Sequence, residues 1–211
     1  MEIHALVPVK KLRQAKQRLA HALNIHERQA LSLAMLGDVL AALSQSSVRR
    51  VTVISQDTAA YQTASAYGAA IAADRASDLN AALQQAAAAV PDNAAVLVAP
   101  SDIPLLRADD IAALSEQSGV TIVPAHDGGT NLLLVRPARE WTFLFGPNSC
   151  ARHSAEARRL GLPVHMVYLP HLERDIDELD DLIWLAQQPG NTAAQRLART
   201  FLESKGARIW R

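Results

Sequence analysis

The 211-residue chain has one cysteine, no net formal charge and no uninterrupted apolar run near the ~20 residues that a membrane helix needs. Each absence removes a class of answers. A lone Cys150 excludes an intrachain disulfide and a zinc site built mainly from thiolates. Twenty-one basic residues balanced by 21 acidic ones leave no polyanion-binding tail, so nucleic acid is a poor partner. With no apolar export segment at the N-terminus and no membrane span, a cytoplasmic protein is expected. Two nucleotide-binding signatures are also missing. There is no G-x-x-x-x-G-K-[ST] loop and no G-x-G-x-x-G after the first strand, which disfavours a P-loop NTPase and an ordinary dinucleotide-binding Rossmann enzyme. The 17 arginines against 4 lysines and the abundance of alanine are what GC-rich coding produces, a hint of a bacterial source.

What is present is an alternation of short apolar runs with longer amphipathic ones. "IHALVPV" (Ile3 to Val9), "VTVIS", "AAIAA", "AVLVA", "VTIVPA", "NLLLVR" and "PVHMVYL" read as strands. Leu31, Met35, Leu36, Val39, Leu40 and Leu43 form one apolar stripe at helical spacing. Further helices are expected over Leu79 to Val90, Asp109 to Ser115, Ser149 to Leu160, Asp177 to Gln188 and Thr192 to Leu202, the last after the stop signal "QQPGN". This alternation predicts an α/β fold with a mostly parallel sheet, whose ligands sit beyond the carboxyl ends of the strands. No repeat or linker divides the chain, so one domain over residues 1–211 is expected.

Three stretches carry chemistry. "VPVKKLRQAKQRLA" (Val7 to Ala20) ends a strand and then places Lys10, Lys11, Arg13, Lys16 and Arg18 in one loop, either a phosphate cradle or a solvated basic face. "SDIPLL" sets Asp102 at a strand's carboxyl end, and "ERDIDELDD" (Glu173 to Asp181) adds Asp175 and Asp177 at i and i+2. Three hard oxygen ligands suit Mg²⁺. Helix capping by Asp177 and favourable first-turn charges at Glu178, Asp180 and Asp181 are the alternative, which accounts less well for Asp102 and Asp175. "HDGGTNLLLVRP" and "FGPNSCARHSAEARRLG" offer anion seats: paired glycines before Thr130 and Asn131, and Ser149 at a helix start with its amides pointing outward. A hairpin turn at Gly128-Gly129 and a simple serine N-cap explain the same residues. A Cys/His nucleophile drawn from His126, Cys150 and His153 is set aside, because no orienting acid accompanies them and buried cysteine is usually inert.

Taken in order, "VPVKKLRQAKQRLA", "LNAAL", "SDIPLL", "DGGTN", "FGPNSCARHSAEA" and "RDIDELDDL" make the chain similar to the 2-phospholactate guanylyltransferase family of coenzyme F420 biosynthesis, from the first strand almost to Asp181. The resemblance implies a single nucleotidyltransferase domain of the glycosyltransferase-A type, a mostly parallel α/β sheet flanked by helices. It implies transfer of GMP from GTP to a small phosphorylated carboxylic acid with release of pyrophosphate. Members differ in the acceptor, and the expectation here places 3-phospho-D-glycerate slightly ahead of phosphoenolpyruvate, then 2-phospho-L-lactate. His126, Cys150, His153 and Ser101 are candidates for a polar partner that would discriminate among them.

Carried over onto this sequence, the family's pattern makes Lys10, Lys16 and Asp102 catalytic and gives Asp102, Asp175 and Asp177 to Mg²⁺. GTP falls to Val9, Lys10, Lys16, Arg18 and Asn80, and the phospho-acid to Thr130, Gly146 and Ser149. Related enzymes usually have glycine before the Leu-Asn pair, where this chain has Asp78. Two rivals stand beside this expectation. A molybdopterin or sugar-phosphate nucleotidyltransferase of the same fold would often carry a Gly-rich first loop, absent here. A non-catalytic nucleotide-binding module would have little reason to gather three mutually repelling carboxylates. The apolar Trp141 to Phe145 stretch serves either a homodimer interface or the core.

Overall fold

The structure is a computed structural model that describes residues 2–76 and 78–206. Among these residues seven strands, β1 (Ile3–Pro8), β2 (Val48–Ser55), β3 (Ala70–Ala73), β4 (Ala95–Val98), β5 (Val120–Pro124), β6 (Thr130–Val135) and β7 (Val164–Met166), form one sheet in the order β3-β2-β1-β4-β6-β5-β7. All neighbours pair in parallel except β6, which runs antiparallel to both β4 and β5. The continuous apolar runs of β4 and β6 are buried on both faces, as strands at the centre of a sheet covered on both sides must be.

Among the described residues seven α-helices flank the sheet: α1 (Ile25–Ser44), α2 (Thr58–Ala66), α3 (Leu79–Ala87), α4 (Ala108–Ser115), α5 (Ser149–Arg159), α6 (Leu179–Gln187) and α7 (Ala193–Ser204). Strand alternation sorts the core into two clusters. Ala5, Val7 and Leu97 join the α1, α4, α6 and α7 side, while Leu6, Val96 and Val98 join the α3 and α5 side. Helix α1 starts at a reciprocal cap: Asn24 Oδ1 accepts the Glu27 N–H at 3.0 Å, and Glu27 Oε2 accepts the Asn24 N–H at 2.7 Å. At the far end Asp38 of α1 accepts the first amides of α7, from Ala193 at 2.9 Å and Ala194 at 2.8 Å.

The architecture matches the expected α/β class, with differences that have local causes. Helix α2 was not expected, because it buries only Ala60 and Ala64 and shows no apolar stripe. Helix α3 stops at Ala87 rather than Val90, and of "PVHMVYL" only Val164–Met166 pair as a strand. Asp78 is the N-cap of α3, its carboxylate accepting the Ala81 N–H at 3.0 Å, which gives the residue that replaces the usual glycine a local purpose. Trp141 and Phe143 are core, 1% and 3% exposed against the α3 and α5 side, so this stretch packs inward. No helix among the described residues is long and apolar enough to cross a membrane.

Candidate active site

The carboxyl ends of β1 and β4 meet the segment before α6, and the three predicted acids converge there. Asp102 occupies the turn after β4, and its carbonyl accepts the Ile176 N–H at 3.0 Å. Ile176 is fully buried, so the core fixes the position of Asp175 and Asp177 on either side of it. One carboxylate oxygen from each of Asp102, Asp175 and Asp177 lies within 4.8 Å of the others. Asp177 is not the N-cap of α6. That place belongs to Glu178, whose N–H and that of Asp177 are both taken by Asp181 Oδ2, at 2.9 and 3.2 Å. The Asp177 carboxylate is thereby left for other partners.

Its partner is Lys16. The Lys16 ammonium donates to Asp102 Oδ2 at 2.8 Å and to Asp177 Oδ1 at 2.6 Å, with its side chain only 7% exposed. Burial alone would lower its pKa, but the charges and hydrogen bonds of Asp102 and Asp177 outweigh burial and raise it, so the group stays cationic. Burial, together with the charges of Asp102 and Asp177, pushes the Asp175 carboxyl up to about 6 despite Lys16. Burial also opposes ionisation of Asp177, yet Lys16, Lys10 and Arg18 together hold its pKa below the usual value. The first loop therefore aims three cations at the acidic cluster. Arg18 also pairs with Glu178 at 2.8 Å on the surface, and Asp57 Oδ2 accepts the Leu12 N–H at 3.2 Å to fix the loop's entry.

A second group of predicted residues gathers around the start of β6. Gly128 and Gly129 form the β5–β6 hairpin turn, with their amides spent on Ala125 O at 3.1 Å and Asp127 Oδ1 at 2.8 Å. The turn reading holds there, not the anion seat. The expectation of outward-pointing amides at Ser149 is likewise corrected. Asn148, at φ 55°, is the N-cap of α5, and the Ser149 and Cys150 N–H groups bond to Gly146 O at 3.1 Å and Gly128 O at 3.2 Å. What Ser149 offers is its hydroxyl, 3.1 Å from Thr130 Oγ1. Gly146 has φ 122°, open essentially to glycine alone, and Arg152 Nη1 lies 3.9 Å from where a Cβ would stand.

The loop carrying Gly146 is strapped across α3 and α5. Gln84 donates to Trp141 O at 3.1 Å, Glu156 bonds Thr142, and Asn80 grips Phe145 twice, at 2.7 Å from its N–H and 3.0 Å to its carbonyl. Asn80 thus spends its carbonyl and one amide hydrogen on this loop. Buried His153 holds both parts: Nε2 accepts the Leu144 N–H at 3.1 Å, and Nδ1 lies 3.1 Å from Thr130 Oγ1. Burial raises the Cys150 thiol pKa, keeping it protonated, in line with setting the nucleophile aside.

The model of the family described as "Guanylyl transferase CofC like" matches residues 3–205. The chain belongs to the CofC guanylyltransferase family. It is 75% identical over 210 residues to a phosphoenolpyruvate guanylyltransferase from Roseiflexus castenholzii, covering 100% of both chains. A second protein of that name, from Roseiflexus sp., is 64% identical, over 100% of this chain and 96% of its own. A 3-phospho-D-glycerate guanylyltransferase from Phenylobacterium zucineum is more distant, 37% identical over 87% of this chain and 90% of its own. Among solved structures, one from Desulfovibrio desulfuricans, provisionally named a nucleotide-diphospho-sugar transferase, superposes with TM-score 0.75 at 19% identity, covering 97% and 98% of the two chains. That likeness shows that the two chains share one fold. The structure brings Lys16 together with Asp102, Asp175 and Asp177, and Thr130 together with Ser149, whereas Asn80, expected on the nucleotide, binds the loop that leads into Gly146. Sequence reasoning weighed His153 only as a nucleophile's partner or an acceptor contact. The residue's spacing from Ser149, one turn along α5, puts the two on one helix face, but the contacts with Thr130 and Leu144 come from other segments.

Proposed function

We propose that this nucleotidyltransferase domain transfers GMP from GTP to phosphoenolpyruvate. The observation that carries the transfer is Lys16 bridging Asp102 and Asp177 beside Asp175 at the sheet's carboxyl edge. The acceptor follows from the relatives of that name at 75% and 64% identity. Those identities move phosphoenolpyruvate ahead of 3-phospho-D-glycerate, the acceptor placed first on sequence grounds. Both need a site for a phosphate and a carboxylate, and the Thr130, Gly146 and Ser149 seat serves such an acid.

A phosphate monoester is largely dianionic near neutral pH, its second pKa being about 6, so its oxygen attacks the α-phosphorus without a general base. The bond from that phosphorus to the bridging oxygen breaks, and pyrophosphate departs. The chain supplies position and countercharge. Lys10, Lys16 and Arg18 face the triphosphate, and Val9 backbone with the remaining Asn80 amide hydrogen faces guanosine. The acidic cluster fits a divalent cation: Lys16 pairs with Asp102 and Asp177 but leaves the third carboxylate, Asp175, without an ion pair, and burial together with the charges of its two neighbours pushes the Asp175 carboxyl up to about 6. Asp102, Asp175 and Asp177 would hold Mg²⁺, which when bound offsets charge on the phosphates and the leaving group. The enzyme acts in the cytoplasm, where GTP is made.

The test is pyrophosphate release from GTP and Mg²⁺ with phosphoenolpyruvate, 3-phosphoglycerate and 2-phospholactate in turn, with ATP and CTP as controls. Release that depends on GTP and is fastest with phosphoenolpyruvate is expected. A clear preference for another of the three acids would overturn the acceptor, and silence with all of them would overturn the transfer.

A further inference from the structure

Thr130 and Ser149 are buried, 6% and 1% exposed, and their hydroxyl oxygens lie 3.1 Å apart. His153, fully buried beneath them, has both ring nitrogens engaged. Its Nε2 faces the Leu144 N–H at 3.1 Å, a group that can only donate, so Nε2 must be the bare nitrogen. In the neutral ring the hydrogen is then on Nδ1, which donates to Thr130 Oγ1 at 3.1 Å. Protonating the ring would set Nε2–H against the Leu144 N–H. The site keeps it neutral: burial, aided by the Arg152 charge, lowers the His153 pKa to about 4.

A count of hydrogens follows. Thr130 and Ser149 bring two hydroxyl hydrogens. One is spent in the bond between them, whichever residue donates it. The other cannot go to His153, because that nitrogen already carries a hydrogen. The pair is therefore left with one uncommitted donor in a buried place, where an unpartnered polar group is costly. An anionic oxygen supplies the missing acceptor. An imidazole presenting a bare Nδ1 would instead absorb that hydrogen.

We propose that His153 is a positioning residue for the acceptor. Through its fixed tautomer it compels the Thr130–Ser149 pair to donate to an anionic oxygen of the phospho-acid. By its second nitrogen it ties that pair to the loop that carries Gly146. The seat's one free donor needs an acceptor oxygen, and a charged oxygen makes the stronger bond. This inference rests on the guanylyltransferase reading and deepens its acceptor half.

Two substitutions separate the role from mere packing. In His153→Asn the amide nitrogen stands near the former Nδ1 and still donates to Thr130. In His153→Gln the carbonyl stands near the former Nε2 and accepts from Leu144, while the donor to Thr130 is lost. With phosphoenolpyruvate, His153→Gln should raise the acceptor KM about 5–10-fold, the value of an ordinary hydrogen bond, because Thr130 Oγ1 loses the donor that orients it while the pair's free hydrogen remains. The GTP KM should stay within about 2-fold, and His153→Asn should recover most of the acceptor KM. On a Thr130→Val background His153→Gln should cost nothing more. Acceptor and GTP constants moving together, or an undiminished effect on the valine background, would overturn the proposal. The wild-type protein gives a measurement free of folding effects: ¹⁵N spectra of labelled histidine should show His153 protonated at Nδ1 and bare at Nε2. The opposite tautomer would overturn the proposal even if both variants failed to fold. Wild-type protein inactive with every phospho-acid would refute the guanylyltransferase reading instead, with the tautomer still deciding the histidine's geometry.

Discussion

Lys16 holds its ammonium 2.8 Å from the Asp102 carboxylate across 86 residues of sequence, and does so from a left-handed backbone conformation at φ 53°. For a residue with a Cβ that conformation costs about 1–2 kcal/mol. The site holds it there because the loop must bring a cation back onto the acids.

Replacing Lys16 with methionine keeps the stem and removes the charge. Turnover should fall by about 10²-fold or more, as when other countercharges to a transferring phosphoryl group are lost. The rise in melting temperature on adding Mg²⁺ should exceed that of wild type, because the metal becomes the main counter-cation of the cluster. Steady-state rates and thermal melts with and without Mg²⁺ check both, and turnover within a few-fold of wild type would remove Lys16 from the chemistry.

Asp102→Asn keeps the shape of a partly exposed turn and removes one ligand. We expect melting within about 4 °C of wild type, near-complete loss of turnover, and loss of the Mg²⁺-dependent stabilisation. A variant that remained active with an unchanged Mg²⁺ response would show that the cluster does not hold the metal.

Ser149→Ala and Asn80→Ala should part company in kinetics. The first removes only a hydroxyl from the acceptor seat and should raise the acceptor KM alone. The second frees Phe145 from a double hydrogen bond, about 2 kcal/mol of loop order, and exposes the guanosine side as well. Both KM values should rise. Varying each substrate in turn settles it, and a change confined to GTP would detach Asn80 from the acceptor loop.

His153 also predicts a pH effect on stability. Its ordinary value is 6.5 and its folded value about 4, so the unfolded chain takes up the proton first as pH falls. The depressed folded pKa means that the contribution is complete above pH 6.5 and is lost as pH falls from there towards 4. The stability advantage of wild type over His153→Asn should therefore shrink between pH 7 and about 4.5 in urea denaturation. Parallel stability curves over that range would contradict it.

Much of this was legible in the chain. Strands such as "AVLVA" and "NLLLVR" announce themselves because central strands are apolar on both faces. The acids were legible because strand ends are where α/β sheets bind ligands. The reversal of β6 was not, since no local pattern states a strand's direction and only the Gly128-Gly129 turn pointed to it. Helix α2 escaped because two buried alanines make no stripe. The left-handed Lys16 carries neither glycine nor asparagine to signal it. The histidine link depends on Leu144 and Thr130 arriving from separate segments, which spacing along α5 alone does not encode.

The reversed strand has a consequence for how such an enzyme can diverge. Because β6 runs against β4 and β5, Thr130 is the first residue of its strand, locked in register opposite Pro124, yet it stands at the same edge as the loops after β1 and β4. The Thr130–Ser149 pair and the Lys16–aspartate cluster therefore hang from chain segments of opposite sense. Insertions in the loops of one do not shift the register of the other. Taste for a new acid can then be acquired around the hairpin while the nucleotide machinery is inherited intact.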